Sequence, residues 1–94
     1  MIGKKDECFF CGQNGGFGGL ERHHIFFGKN RKNSEKYDIT VMLCGEKCHR
    51  NGPFSAHKNK TTDLFLKRCG QTWAMEKYGW TTDDFIRIFG KNYL

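Results

Sequence analysis

The sequence has no apolar run long enough to cross a bilayer. Its opening, Met-Ile-Gly-Lys-Lys-Asp-Glu, has no apolar h-region, so neither a membrane span nor a secretory signal is expected. No internal repeat is present. The glycine-rich stretch at residues 12–19 lacks the Gly-Lys-Ser/Thr ending and the following helix of a phosphate cradle, and reads as a flexible connector. At 94 residues the chain is also short of core. It is expected to be one domain, 1–94, near the lower limit of what folds without a staple.

Negative charge is scarce as well, with 10 acids against 16 Lys and Arg, and the imbalance is local. Residues 1–20 and 69–94 are each neutral, whereas residues 21–68 carry eleven Lys and Arg against five acids. The whole net charge of +6 and all four histidines therefore share one segment. That coincidence favours a polyanionic partner such as nucleic acid over a basic surface kept only for solubility.

Cysteine is the residue in excess. Five in so short a chain could form a secreted disulfide framework or an intracellular metal site. The odd number and the missing signal favour reduced thiols and a cytoplasmic location. Cys8-Phe-Phe-Cys11-Gly12 reads as a knuckle, two thiolates across a tight turn with glycine where the backbone folds back. Cys44-Gly-Glu-Lys-Cys48 is a second, with one residue more than the common spacing. Together Cys8, Cys11, Cys44 and Cys48 fit one structural zinc. A redox pair would need a βαβ setting, and Cys44-x3-Cys48-His49 is off the haem-attachment spacing. Cys69 is left over as a buried helix thiol.

Residues 20–27 (LERHHIFF) suit a short strand, which would turn His23 and His24 to opposite faces. Residues 28–36 are polar and turn-forming, and Lys29, Arg31 and Lys32 there are natural phosphate contacts. Residues 38–44 (DITVMLC) form the clearest strand and should pair antiparallel with 20–27. Asn51-Gly52-Pro53 reads as a turn. A helix is expected over about 58–77, capped by Ser55 or Asn59, with Phe65, Leu66, Cys69 and Trp73 facing the hairpin. Gly70 interrupts it and suggests a close approach to another backbone. Thr81 with Asp84 forms a capping box for a last helix at about 82–89, ended by Gly90, with Phe85, Ile86, Ile88 and Phe89 inward.

The order Cys8-x2-Cys11, His23-His24-Ile25, Leu43-Cys44-x3-Cys48-His49, then a helix, resembles the zinc-containing HNH endonucleases of the ββα-metal, or His-Me finger, fold. The match spans residues 8–57. HHIFFGKNRKNSEKY and FIRIFGKNYL also resemble small proteins of this class encoded in bacteriophages and prophages. The resemblance implies an α+β fold with a ββα core over about 20–77. It also implies a metal-dependent hydrolase that nicks or cuts DNA. In its terms His24 is the general base, taking a proton from water as it attacks phosphorus. His23 and His49 are ligands of a catalytic divalent metal, and His57 is a third ligand or polarises the phosphate. Lys29, Arg31, Lys32 and Arg50 would grip the DNA backbone.

Two positions depart from the family. Where its middle asparagine is expected the chain has Asp38-Ile39, so Asn33 or Asn30 would have to replace it, or Asp38 would orient His24. His23 stands where an aspartate is usual, making an all-imidazole metal site that suits Mn, Ni, Co or Zn at least as well as Mg. The rival reading is a non-catalytic zinc-knuckle module that binds nucleic acid. The adjacent histidines speak against it, because a pure binding module has no need of His24. A homodimer or a larger phage complex is left open, as are the DNA structure recognised and the biological role.

Overall fold

A computed structural model of the chain describes residues 1–14, 19–50 and 52–94. The connector at 15–18 and Asn51 of the 51–53 turn lie outside the described residues. The molecule is a small α+β fold: a two-stranded antiparallel sheet with helices. Strand β1 is Leu20–His24, and after a single 3-10 turn at Gly28–Asn30 comes helix α1, Arg31–Lys36. Strand β2 is Thr40–Cys44, followed by a π-helical turn at Gly45–Arg50. Helices α2, Lys60–Tyr78, and α3, Thr82–Phe89, complete the chain. No helix among the described residues is long and apolar enough to cross a membrane.

The hairpin register pairs Leu20 with Cys44, His23 with Val41 and His24 with Thr40. Both strands are shorter than their sequence signals. Asp38 sits in the left-handed region at φ 57°, which keeps it out of the β2 ladder. On the other edge of β2 the N-terminal segment adds bonds, Ile2 N–H to Thr40 O and Phe9 N–H to Met42 O, both at 2.8 Å. These bonds carry the first knuckle alongside the end of the strand that holds the second.

Helix α2 begins where the sequence offers a cap: Asn59 Oδ1 accepts from Thr62 N–H at 3.0 Å. It ends on Gly79 in the left-handed conformation, at φ 67°. Its inward face differs from the expected one. The buried positions are Thr62, Leu66, Gly70, Gln71 and Ala74, while Phe65 is exposed and Cys69 and Trp73 are half-buried. Gly70 and Ala74, one turn apart on this ridge, let the helix lie close to the sheet, and the large ring of Phe65 is turned aside. A Cβ on Gly70 would meet Ile39 Cγ2, Ile25 Cγ2 and Phe26 Cε2 at 3.0, 3.1 and 3.2 Å. The close approach is therefore to core side chains and not to another backbone.

In α3 the Thr81–Asp84 capping box is formed in both directions, and Gly90 ends the helix. Phe85 and Phe89 are buried, Ile88 packs partly and Ile86 points outward, correcting the expectation that all four pack inward. Phe26 joins this helix to the sheet through ring contacts with Phe85, Phe89 and Tyr93 at 5.4, 4.7 and 5.3 Å. The core is built on Ile25, Ile39, Val41, Leu43 and Leu66, each fully buried.

Candidate functional site

Cys8, Cys11, Cys44 and Cys48 come together with their sulfurs all within 4.8 Å of one another. Gly12, at φ 78°, folds the first knuckle back so that its N–H reaches Cys8 O at 2.8 Å. Cys11 N–H points at Cys8 Sγ at 3.4 Å, and Cys11 Sγ lies 3.5 Å from Cys44 Sγ. Tetrahedral zinc with bonds of about 2.3 Å requires sulfurs about 3.8 Å apart, so the group fits the metal. The electrostatics agree. Burial works against ionising Cys8, yet the backbone donors at Cys11, Cys44 and Phe10 bring its pKa down to about 7. Burial and the neighbouring thiols push Cys44 up to about 11 and raise Cys48 as well. Four thiolates at this spacing would need a cation to coexist, and a metal ion would supply it.

The histidines are sorted by the pleat of β1. Glu21, His23 and Ile25 point to one face and Arg22 and His24 to the other, as strand alternation demands. His23, 2% exposed, meets His49 and His57 on the first face, its ring 5.0 and 5.4 Å from theirs between centroids. One nitrogen from each of the three lies within 4.8 Å of the others. His49 Nδ1 is 2.8 Å from Glu21 Oε1, and because a carboxylate only accepts, Nδ1 carries the proton. With that tautomer Nε2 of His49 accepts from His57 Nε2, 3.1 Å away. Arg50 holds Glu21 in turn, with Nη2 at 2.8 Å from Oε2.

His23 Nε2 is buried and has no hydrogen-bond partner among the described residues. Burial first, then the neighbouring imidazoles and Lys67, lowers the His23 pKa to about 3, so the ring is neutral. Burial and His49 also lower His57. Three imidazoles with converging nitrogens, one of them an orphan, fit a divalent metal, whose tetrahedral nitrogens would lie about 3.3 Å apart. The Glu21 carboxylate behind His49 is the outer partner that metal-binding histidines commonly have.

His24 opens onto the same cleft, a cavity of about 230 Å³ lined also by His23, His49, His57, Arg22 and Arg31. From α1, Glu35 accepts a hydrogen bond from His24 Nε2 at 2.6 Å and pairs with Arg22 Nη1 at 3.0 Å. With Nε2 protonated, Nδ1 of His24 is the basic atom. Asp38, considered as the partner of His24, instead pairs with the Met1 amino group and Arg22 and lies 3.4 Å from Thr40 Oγ1. Asn30 and Asn33 are committed to the end of α3, donating to Phe89 O and Ile88 O at 3.0 and 3.1 Å.

Among the described residues Lys29, Arg31 and Lys32 have no carboxylate partner, and all three are exposed. Arg31 lines the histidine cavity and, with Lys32, an adjoining one of about 340 Å³. Arg50 is engaged with Glu21 and Gly45 O. Reading the sequence missed Glu21 and Glu35. Glu21 lies on β1 and Glu35 on α1, and neither has a spacing to the histidines that the sequence alone marks. Compared with known proteins, the chain matches no family model, no curated protein and no solved structure.

Proposed function

We propose that the chain is a metal-dependent endonuclease of the HNH type that hydrolyses DNA phosphodiester bonds and carries one structural zinc. The observation that carries this reading is the shared cleft: His23, His49 and His57 converge on one point, and His24 stands beside them, outside the cluster and held by a carboxylate. The order β1, β2, α2 is also that of a ββα core. A divalent ion at the three imidazoles would supply a Lewis acid for a non-bridging phosphate oxygen and for the leaving 3′ oxygen.

The chain's own residues do the rest. His24 accepts a proton at Nδ1 from the attacking water, and Glu35 fixes the ring and stabilises the imidazolium that results. Glu35 stays ionised for this, its pKa held below the ordinary carboxylate range by His24 first and then by Arg22. Arg31, an unpaired guanidinium in the cleft, is placed to receive the scissile phosphate. Lys29, in the 3-10 turn, and Lys32, on α1, both exposed, extend the contact to neighbouring phosphates. Arg50 acts at one remove, through Glu21, to set His49.

The test is nicking of supercoiled plasmid by wild type and His24→Ala in EDTA, Mg, Mn and Ni. Metal-dependent nicking by wild type alone is expected. A folded, zinc-loaded wild type that nicks under none of these metals would reject the proposal in favour of a binding module.

A further inference from the structure

On the other side of the 45–50 turn lies a surface that the proposed chemistry does not use. Three phenylalanines stand out of it: Phe10 from the first knuckle, Phe54 after the 45–50 turn, and Phe65 on the outer face of α2. They are 41%, 65% and 49% exposed. Phe10 and Phe65 meet edge to face with centroids 6.3 Å apart. Adjoining cavities of about 460 and 470 Å³ share Phe10 and Phe54, and a third of about 510 Å³ continues from Phe65 along α2. The result is one groove, lined by rings at its start and by the α2 surface beyond. A monomer usually keeps contiguous apolar surface of this kind only where something covers it.

The charges beside the groove say what covers it. Lys58 and Lys60 flank Asn59, which lines the second cavity, and Arg68 lines the third. All three are exposed, and none pairs with a carboxylate among the described residues. Glu76, at the far end, is the single acid in the lining. A hydrophobic peptide would use the rings and leave the cations unmatched. Duplex DNA would match the cations but keeps its base faces stacked inside. A single strand offers both an unpaired planar face and a negative charge at every residue.

The 45–50 turn separates the groove from the histidine cleft. Cys48 lines the groove's first cavity, and His49, the next residue, lines the cleft. We propose that the Phe10–Phe54–Phe65 groove binds single-stranded nucleic acid by base stacking. This rests on the nucleic-acid reading given above, but not on catalysis.

Binding of fluorescein-labelled oligothymidylate, measured by anisotropy with the full zinc-loaded chain, tests it against a duplex of equal length. Phe54→Ala and Phe65→Ala should each weaken oligothymidylate binding by roughly tenfold and leave duplex binding unchanged. Phe54→Trp should bind like wild type and show indole quenching on addition of oligothymidylate beyond that of wild type. Both rings are exposed, so zinc content and circular dichroism should match wild type. Unchanged oligothymidylate affinity in the Phe54→Ala/Phe65→Ala double variant overturns the proposal. So does a wild-type dimer that the same pair of substitutions makes monomeric, because the groove is then a self-association face. Failure of plasmid nicking with ring-dependent oligothymidylate binding intact sinks the nuclease reading and keeps this one.

Discussion

At the scale of single residues, two carboxylates decide what the histidines can do. Glu35 accepts from His24 Nε2, so the lone pair of that ring is on Nδ1. Replacing Glu35 by Gln removes the anion and lets the amide donate or accept. The expected result is a mixed His24 tautomer in nitrogen-15 spectra and a loss on the order of 100-fold in nicking rate, with Glu35→Asp restoring part of it. A pure Nε2–H tautomer persisting in the Gln variant would show that Glu35 does not set the ring. Glu21 has the same relation to His49. Glu21→Ala should weaken divalent-metal binding at the histidines by roughly 10- to 100-fold in chelator competition. An unchanged affinity would mean that Arg50 and Glu21 only brace the 45–50 turn. Neither acid was legible in the sequence, because a lone Glu in a basic segment carries no spacing signal. The cysteines and histidines were legible, because few side chains bind metals and their spacing limits where they can meet.

At the scale of elements, the sequence marked boundaries better than faces. Asn59, Gly79, Thr81, Asp84 and Gly90 act locally, through their own side chains or backbone, and each stands where its chemistry indicates. The inward face of α2 depends on how close the sheet comes, which no local signal records, and so the large residue Phe65 was misplaced. Gly70 measures that approach. Ala there would gain about 1 kcal/mol of helix propensity. Its Cβ, however, would stand 3.0–3.2 Å from Ile39, Ile25 and Phe26, all buried, which would have to give by a few tenths of an ångström in a packed core. Gly70→Ala should therefore lower the urea midpoint, and Gly70→Val should lower it further. A higher midpoint for Ala would show that the interface has slack.

The cap of α3 gives a pH test. Asp84 is held below its ordinary pKa by the Thr81 backbone N–H first, then by the Thr81 hydroxyl. Its contribution is thus present above the unfolded carboxyl range, near pH 4, and is lost as pH falls through the lower folded value. The gap in melting temperature between wild type and Asp84→Ala should be open at neutral pH and close as pH falls below the ordinary carboxyl range. A gap that persists in acid would mean that the carboxylate charge is not what stabilises the cap.

For the whole molecule, one short chain brings two clusters that could each hold a metal within a residue of each other, Cys48 in one and His49 in the next. Their energetics should nonetheless separate. The cysteine cluster ties the N-terminal knuckle to the end of β2, and little else in the core spans that distance apart from Ile2 and Phe9. Structural zinc contributes on the order of 10–16 kcal/mol in small zinc peptides, and at this site it would be comparable to the whole stability of a domain this size. Cys44→Ala should therefore unfold the chain, as should strong chelation. The histidine cluster closes no such loop: β1 and β2 are already paired beneath it, and His57 N–H bonds His49 O at 3.2 Å without any ion. His23→Ala should leave zinc at one equivalent and the far-ultraviolet spectrum unchanged while abolishing nicking and the second metal. Loss of fold in His23→Ala would show that the two clusters form one structural unit, and His24→Ala, outside both, would then be the single variant able to test catalysis.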